Sequence, residues 1–316
     1  MDVIYILGYG RSGSTILDIV LGSDPLIQSV GELDLLSREW ETRSCSCGLP
    51  YSVCPFWSRV RVSTESATGA CSVHERETIL RRVEDLRALP LLLFRRIPSQ
   101  HADAYRRLVL EELAAIARVS GKPTILDSSK CAREAAGRAL AISSIAGVPV
   151  KMIHLVRDGR AVLWSVKRGD NVRLGDGYKK DAAAFSWPTL RALGGWILAN
   201  AIAFLTAMVS PKGSVLRVRY EDLVQEPRRE LLRIGEFLGR DLSPIADRIE
   251  RGEAFAAGHN TGGNRARKEG ALKLHEDREW ETRLGRAERA LYWTVGWPLA
   301  MAIGRRSRRP ELTNRS

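Results

Sequence analysis

The chain has 316 residues, of which 44% are hydrophobic and 27% are charged. This is the balance of an ordinary globular protein, and it excludes a largely disordered chain and one made mainly of membrane-spanning segments. The 49 basic and 37 acidic residues give a net charge of +12, which indicates an anionic partner such as a nucleic acid, an acidic lipid or a phosphorylated cofactor. No basic run is interleaved with aromatic residues, so we do not expect nucleic-acid binding.

The first predicted element is a buried strand, Val3 to Leu7, directly after Met1. It leaves no room for a secretory signal, so we expect a cytoplasmic protein. Two later apolar segments, Trp196 to Val209 and Ala290 to Ile303, fall short of the roughly 20 residues that span a bilayer, and we expect buried helices there. The second segment, beside the basic tail 305–316, also has the composition for peripheral contact with an anionic membrane.

A glycine-rich loop follows the first strand and precedes an apolar helix. Its residues are Gly8-Tyr9-Gly10-Arg11-Ser12-Gly13-Ser14-Thr15. Glycines let the backbone wrap around phosphate oxygens, and the first amides of the helix supply hydrogen-bond donors. The spacing fits the P-loop pattern G-x-x-x-x-G-K-[ST], but Ser14 stands where a nucleoside triphosphatase has its lysine. We therefore expect residues 10–15 to bind a phosphate-like group other than a triphosphate, with Arg11 as the cation.

Residues 33–120 are predicted to form a helical lid inserted into a single domain that covers residues 1–316. The clearest lid helix is Ala104 to Val119, and the lid also contains Cys45, Cys47 and Cys54 in one short loop. This cysteine spacing is not that of a standard zinc finger. We therefore expect a buried or pocket-lining loop without a metal, and a zinc site is the alternative. Five cysteines in a cytoplasmic chain argue against a disulfide framework.

Three further apolar runs are predicted strands: Pro123 to Leu126, Val150 to Val156 and Val215 to Val218. Each precedes a helix-compatible segment, which predicts an α/β fold with a parallel sheet flanked by helices. Ligands bind such sheets at the carboxyl ends of the strands, where polar residues follow each run. The segment Gly252 to Gly270 is rich in Gly, Asn and Arg, which predicts a flexible flap that closes on an anion.

Two of these motifs resemble those of the sulfotransferases that use 3′-phosphoadenosine-5′-phosphosulfate (PAPS), in the bacterial and carbohydrate branch. The loop Arg11-Ser12-Gly13-Ser14-Thr15 is similar to the family's 5′-phosphosulfate loop, R-S-G-T-T. The segment Arg157-Asp158-Gly159-Arg160-Ala161-Val162-Leu163-Trp164-Ser165 is similar to its 3′-phosphate segment, R-D-P-R-A-x-x-x-S, with Gly159 in place of Pro. The resemblance implies that Arg157 and Ser165 bind the 3′-phosphate, which suits the bidentate grip of a guanidinium.

Two weaker elements agree with the resemblance. Tyr220-Glu221-Asp222-Leu223 is similar to the Y-E-D-L segment, whose tyrosine lies near the adenine. Gly263-Asn264-Arg265-Ala266-Arg267 resembles the G-N-x-x-R flap, whose last arginine approaches the 3′-phosphate. The resemblance thus adds Tyr220 and Arg267 to the expected cofactor-binding residues.

The resemblance also implies two residues for the chemistry. Lys130 lies where family members often carry a lysine near the bridging oxygen; the alternative is a solvated loop lysine. Glu32 ends a short strand after the first helix, where one branch of the family has its general base. The alternative is that Glu32 caps a helix that begins near Leu33. We expect His154 to be a core residue, and His259 on the flap is the next candidate for the base.

The implied function is transfer of a sulfuryl group from PAPS to a hydroxyl of a small-molecule, saccharide-like or lipid-linked acceptor. The co-product is 3′-phosphoadenosine-5′-phosphate (PAP), and no metal is expected to be needed for turnover. Two other hypotheses stay open: a P-loop kinase in which Asp127 holds Mg²⁺, and a non-catalytic basic module that binds nucleic acid or membranes. The sequence names neither the acceptor nor the oligomeric state.

Overall fold

The computed structural model describes residues 1–69, 71–168, 187–262 and 277–304. Its five strands form one parallel sheet in the order β2-β3-β1-β4-β5. The strands are β1 Asp2–Leu7, β2 Ile27–Gly31, β3 Thr124–Asp127, β4 Val150–Val156 and β5 Val215–Arg219. The four runs predicted as strands are therefore confirmed, and β2 is the short strand that the resemblance implies before Glu32. The α/β prediction is confirmed as well.

Helices flank both faces of the sheet. They are α1 Ser14–Leu21, α2 Asp34–Arg38, α3 Pro55–Thr68, α4 Val73–Glu84, α5 Leu89–Leu93, α6 Ser99–Ser120, α7 Arg138–Ser144, α8 Gly159–Lys167, α9 Trp187–Val209, α10 Tyr220–Gln225, α11 Pro227–Leu238, α12 Ser243–Glu250, α13 Glu279–Arg283, α14 Arg286–Val295 and α15 Trp297–Gly304. A short 3₁₀ turn, Arg133–Ala135, precedes α7.

The position of the central strand β1 explains why its sequence is continuously apolar. Successive side chains of a strand point to opposite faces of the sheet. Val3 and Tyr5 belong to the hydrophobic cluster that includes the lid helices, whereas Ile4 and Ile6 belong to the cluster with α1, α11 and α12. Both faces of the sheet are thus covered, and a strand buried on both faces has no polar positions to alternate with.

The strand order also locates the ligand-binding edge. β1 lies between β3 and β4, and the chain completes β2 and β3 on one side before it adds β4 and β5 on the other. In open α/β sheets ligands bind beyond the carboxyl ends of the strands, at the point where the strand order reverses. Here that point is the end of β1, which leads directly into the glycine-rich loop.

Two helices differ from the sequence prediction. The first, α9, begins at Trp187 rather than Trp196, and its segment Thr189–Val209 is long and apolar enough to cross a membrane by length and composition alone. Long core helices pass the same test, and Ala199, Ile202 and Ala203 are buried in the main core. The expectation that this segment is too short to span a bilayer was therefore wrong.

The second difference concerns the apolar segment Ala290 to Ile303, which is divided at Gly296 into α14 and α15. Three of its large apolar side chains, Trp293, Trp297 and Met301, are exposed, so the expected single buried helix is not found. The basic tail 305–316 lies outside the described residues, and peripheral membrane contact remains a prediction.

Candidate active site

The glycine-rich loop has the backbone geometry that its sequence predicts. Gly8 and Gly13 have φ values of 124° and 90°, and α1 begins directly after Gly13. A Cβ atom on Gly8 would collide with the carbonyl of Leu155 in β4, and one on Gly13 would collide with the ring of Tyr220. Only glycine adopts a positive φ without strain and also avoids these collisions.

The loop also carries features of a ligand site. Arg11 has a φ of 70°, a left-handed conformation that costs a residue with a side chain about 1–3 kcal/mol and that clusters at binding sites. The hydroxyl of Ser12 is buried and has no hydrogen-bond partner among the described residues. A buried donor of this kind, next to the first amides of a helix, suits an anionic oxygen.

The loop is joined to the β4–α8 motif through Arg11. Its Nε donates a hydrogen bond to the Oγ of Ser165 at 3.0 Å, and a terminal nitrogen donates to the Ser165 carbonyl at 3.3 Å. A terminal nitrogen of Arg157 donates to the Arg11 carbonyl at 3.0 Å. The two motifs therefore converge at the carboxyl ends of β1 and β4, and they bring two guanidinium groups and a hydroxyl together.

Neighbouring elements hold Arg157 in place. Its guanidinium lies 4.6 Å from the ring centroid of Tyr220, its carbonyl accepts a hydrogen bond from the indole N–H of Trp196 at 3.1 Å, and Asp277 lies 3.6 Å from one of its nitrogens. Tyr220 is buried between Arg157 and Gly13 of the loop. Cation–π contact thus gives Tyr220 a supporting position, in addition to the adenine contact that the resemblance implies.

Glu32 and Lys130 meet at the ends of β2 and β3. They form an ion pair, and each side chain is only 12% exposed. Lys130 has a φ of 66°, and its carbonyl accepts a hydrogen bond from Tyr5 at 2.8 Å. Helix α2 begins at Asp34, and its N-cap is Leu33 rather than Glu32. The low exposure of Lys130 shows that it is not a solvated loop lysine.

The backbone of Glu32 is fixed by the first part of the predicted flap. Thr261 forms an isolated parallel bridge with Gly31, and the Glu32 N–H donates to the Thr261 carbonyl at 2.9 Å. Gly31 has a φ of 73°, and a Cβ atom there would collide with Thr261. Sequence reasoning did not find Thr261, because the bridge joins segments 230 residues apart. Residues 263–270, including Arg267, lie outside the described residues.

The residue next to Thr261 reaches the glycine-loop helix. The side-chain nitrogen of Asn260 donates to Asp18 in α1 and, at 2.6 Å, to the hydroxyl of Ser29 in β2. Burial raises the pKa of Asp18 to about 7, although a hydrogen bond from Ser29 opposes the shift. Asn260 therefore ties the flap segment to both α1 and β2.

The carboxylate of Asp127, the expected Mg²⁺ ligand of a kinase, is bonded to other groups of the protein. It is fully buried, and it accepts hydrogen bonds from Arg138 at 2.8 Å and from the N–H of Ser129 at 2.9 Å. Arg138 also pairs with Glu84 at 2.5 Å, and burial raises the pKa of Glu84 while Arg138 opposes this. Asp127 is thus a structural residue, which argues against the kinase hypothesis.

The histidine predicted to be structural is confirmed. His154 is 1% exposed, its Nε2 lies 2.9 Å from the side-chain oxygen of Asn200, and burial lowers its pKa to about 4. Near neutral pH it is uncharged. His154 therefore belongs to the packing between β4 and α9.

The aromatic residues around the cysteine loop are all buried: Trp40, Tyr51, Phe56 and Trp57. They pack mainly on one another, with centroid distances of 5.0–6.5 Å. Among the described residues, one group could hold a metal ion: Cys45, Cys47, Cys54 and His259.

Comparison with known proteins identifies the family. The sequence model of the sulfotransferase domain matches residues 1–277. A search among curated proteins found no significant match. Similar solved structures include the sulfotransferase domain of the Synechococcus PCC 7002 olefin synthase, with 22% identity, 77% of this chain and 74% of that chain covered, and a TM-score of 0.44.

Two further structures are similar over more of the chain. The sulfotransferase domain from the curacin biosynthetic pathway has 18% identity, covers 93% of this chain and 97% of that chain, and has a TM-score of 0.48. Retinol dehydratase in complex with androsterone and the inactive cofactor PAP has 16% identity, 98% and 82% coverage, and a TM-score of 0.44. The assignment itself rests on the family model, which spans most of the chain. The chain therefore belongs to the sulfotransferase family, and it is an enzyme that transfers a sulfuryl group.

Proposed function

We propose that the sulfuryl donor is PAPS and that the acceptor group is a hydroxyl of a small molecule. The observation that carries this proposal is the contact between the glycine-rich loop and the β4–α8 motif, in which Arg11 bonds Ser165 and Arg157 bonds Arg11. PAPS carries a phosphosulfate on its 5′ side and a phosphate on its 3′ side. A loop at a helix N-terminus suits the first group, and Arg157 with Ser165 suits the second.

Glu32 is the proposed general base. The acceptor oxygen forms a bond to sulfur while the bond between sulfur and the bridging phosphate oxygen breaks. The acceptor proton passes to a carboxylate oxygen of Glu32, and the bonding electron pair leaves with the phosphate of PAP. The ion pair holds the Glu32 carboxylate beside Lys130, and a carboxylate is the form of glutamate that accepts a proton.

Lys130 is the proposed partner of the leaving group. Its ammonium group can meet the charge that develops on the bridging oxygen, and Arg11 with the loop amides meets the remaining oxygens. Three non-glycine residues in the described part of the chain have a positive φ, and Arg11 and Lys130 are two of them. Backbone strain at both positions supports a functional role for them.

We assign a small apolar part of the acceptor to a pocket among α2, α3, α4 and α6. The pocket has a cavity volume of about 40 Å³, and Trp40, Trp57 and Leu108 line it. The indole N–H of Trp57 has no hydrogen-bond partner among the described residues. Because α2 begins two residues after Glu32, an acceptor with an apolar part and a hydrogen-bond acceptor suits this position. A saccharide-like or lipid-linked compound is a candidate.

The donor assignment predicts a preference for 3′-phosphorylated nucleotides. PAP at about 100 times its dissociation constant should stabilise the folded protein by roughly 2.7 kcal/mol, whereas ATP with Mg²⁺ should raise the melting temperature much less. Thermal unfolding with each nucleotide measures this. Equal stabilisation by ATP and PAP would contradict the 3′-phosphate site and revive the kinase hypothesis.

A variant tests whether Ser165 binds the 3′-phosphate. Ser165→Ala should weaken PAP binding by about tenfold or more, since hydrogen bonds to charged groups contribute about 1.5–3 kcal/mol. The matched control is Ser144→Ala, because the Ser144 hydroxyl bonds only the carbonyl of Leu140 within its own helix. An unchanged affinity in Ser165→Ala, measured by calorimetry, would remove Ser165 from the site.

Lys130→Ala should lower kcat more than it weakens PAP binding, because the charge that Lys130 meets develops only in the transition state. A loss of about 10²–10³ in kcat is expected for one such group. Alanine has the same cost as lysine at a positive φ, so the backbone strain is unchanged. Lys151→Ala, at an exposed lysine of β4, is the control. If Lys130→Ala retains its kcat, Lys130 has no part in the reaction.

A further inference from the structure

The cysteine loop meets the flap segment through a group of four side chains, Cys45, Cys47, Cys54 and His259, which we call the cysteine–histidine cluster. One possible ligand atom from each residue lies within 4.8 Å of all the others. The Nδ1 atom of His259 is 3.6 Å from the sulfur of Cys45 and 3.4 Å from that of Cys54, and the sulfurs of Cys47 and Cys54 are 3.7 Å apart.

These distances match the edges of a tetrahedron around a single metal ion. Zn–S bonds of about 2.3 Å and Zn–N bonds of about 2.0–2.1 Å place two sulfurs about 3.8 Å apart, and a sulfur and a nitrogen about 3.6 Å apart. A group within 4.8 Å is too small to enclose a cluster of several metal ions. Three thiolates and one imidazole in a tetrahedral set select zinc among the common metals.

We propose that the cysteine–histidine cluster binds one structural Zn²⁺ ion. Zinc sites with four protein ligands are structural, whereas catalytic ones keep a position open for water or substrate. The sequence prediction of no metal considered the cysteine spacing alone. The fourth ligand, His259, is 205 residues from Cys54, so the spacing of the cysteines could not reveal it.

Hydrogen bonds, a helix end and a ring stack fix the residues of the cluster. The N–H of Cys45 donates to the Leu49 carbonyl at 2.8 Å, and the N–H of Gly48 donates to the Cys45 carbonyl at 2.9 Å, which closes a tight turn. Cys54 is the N-cap of α3, so the first turn of a helix holds this residue in place. The ring of His259 stacks on Phe56 at a centroid distance of 5.2 Å, which fixes its orientation.

The ion would fasten the cysteine loop to the segment that holds Glu32. Ser46 of the loop donates its N–H to the Asn260 carbonyl at 3.1 Å, and its hydroxyl accepts from the Asn260 N–H at 2.8 Å. The next residue, Thr261, accepts the N–H of Glu32. Zinc at His259 therefore lies two residues from the bridge that positions Glu32. This consequence rests on the proposed role of Glu32, whereas the zinc site itself does not.

Metal analysis of the full chain tests the proposal directly. Protein purified from zinc-supplemented cells, without chelators or an affinity tag that binds metal, should contain one equivalent of zinc by mass spectrometry. Replacement of zinc by Co²⁺ should produce the thiolate charge-transfer and intense visible bands of a tetrahedral cobalt site. Removal of zinc should lower the melting temperature, and zinc, but not Mg²⁺, should restore it.

Matched variants separate the cluster from the other cysteines and histidines. Cys47→Ser changes the exposed member of the cluster, so it disturbs the packing least, and with His259→Gln it should lose most of the zinc and the cobalt bands. Cys71→Ser and His74→Gln, outside the cluster, should keep both. Hydrogen exchange at the amides of Glu32 and Thr261 should become faster in the zinc-free protein, because their bridge loses its anchor.

Three results would overturn the proposal. The first is a folded parent protein that contains no zinc and whose melting temperature zinc does not raise. The second is retention of a full zinc equivalent in both Cys47→Ser and His259→Gln. The third is a Cys47–Cys54 disulfide in the protein as isolated, detected by alkylation before reduction. None of these results bears on PAP binding, so the zinc site and the donor assignment fail independently.

Discussion

Replacing Glu32 by glutamine should lower kcat by about two to four orders of magnitude, the usual contribution of general-base catalysis. Glutamine has the shape of glutamate and can still accept a hydrogen bond from Lys130, but it cannot take the proton of the acceptor hydroxyl. The fold and the affinity for PAP should therefore change little. Turnover with PAPS and an accepted hydroxyl compound, followed by mass spectrometry of the sulfated product, measures the loss.

The control for this variant is Glu111→Gln, which removes a carboxylate on α6 that pairs only weakly with Arg118, at 3.7 Å. It should leave kcat unchanged. Near-normal turnover in Glu32→Gln would exclude Glu32 as the base. A parallel loss of PAP affinity would instead indicate that the ion pair with Lys130 supports the donor site.

Replacing Arg138 by methionine should destabilise the fold by about 3–5 kcal/mol, the typical loss when one partner of a buried ion pair is removed. Arg138 is fully buried between Asp127 and Glu84, so the variant leaves two carboxylates without a cation. Urea unfolding of the parent and the variant measures the difference. Arg118→Met, at an exposed pair, should lose no more than about 1 kcal/mol.

The pH dependence of this variant identifies the cause of its instability. Burial already raises the pKa of Glu84 above its ordinary value, and loss of Arg138 should raise it further. A carboxyl whose pKa is higher in the folded state favours folding at low pH and loses that contribution as the pH rises through the folded-state pKa. The destabilisation should therefore be smaller at pH 5 than at pH 8. A loss that is equal at both pH values would indicate packing rather than charge.

The parts of this site that sequence reasoning predicted are contiguous in the chain. The glycine-rich loop and the segment from Arg157 to Ser165 each follow an apolar strand, and both the spacing and the strand context are visible without a structure. The adjacency of Glu32 and Lys130 is different. It depends on β2 lying beside β3, with Gly31 opposite Asp127, and no local pattern specifies that neighbour.

Other features arise from contacts between distant segments. The bridge between Gly31 and Thr261 and the approach of His259 to the cysteine loop join residues more than 200 positions apart. The length of α9 was underestimated for another reason. Its first turns contain Arg191 and three further polar or glycine residues, which interrupt the apolar run although the helix continues through them.

The reversal of strand order at β1 separates the site residues into two sets. Glu32 and the lid come from the β2 and β3 side, whereas Arg157, Ser165 and Tyr220 come from the β4 and β5 side. Natural selection can therefore change one set of residues by substitution, or replace it by recombination, and leave the other set unchanged. Descendants of one ancestral gene are then expected to diversify in what they sulfate while they continue to draw on a single sulfuryl donor.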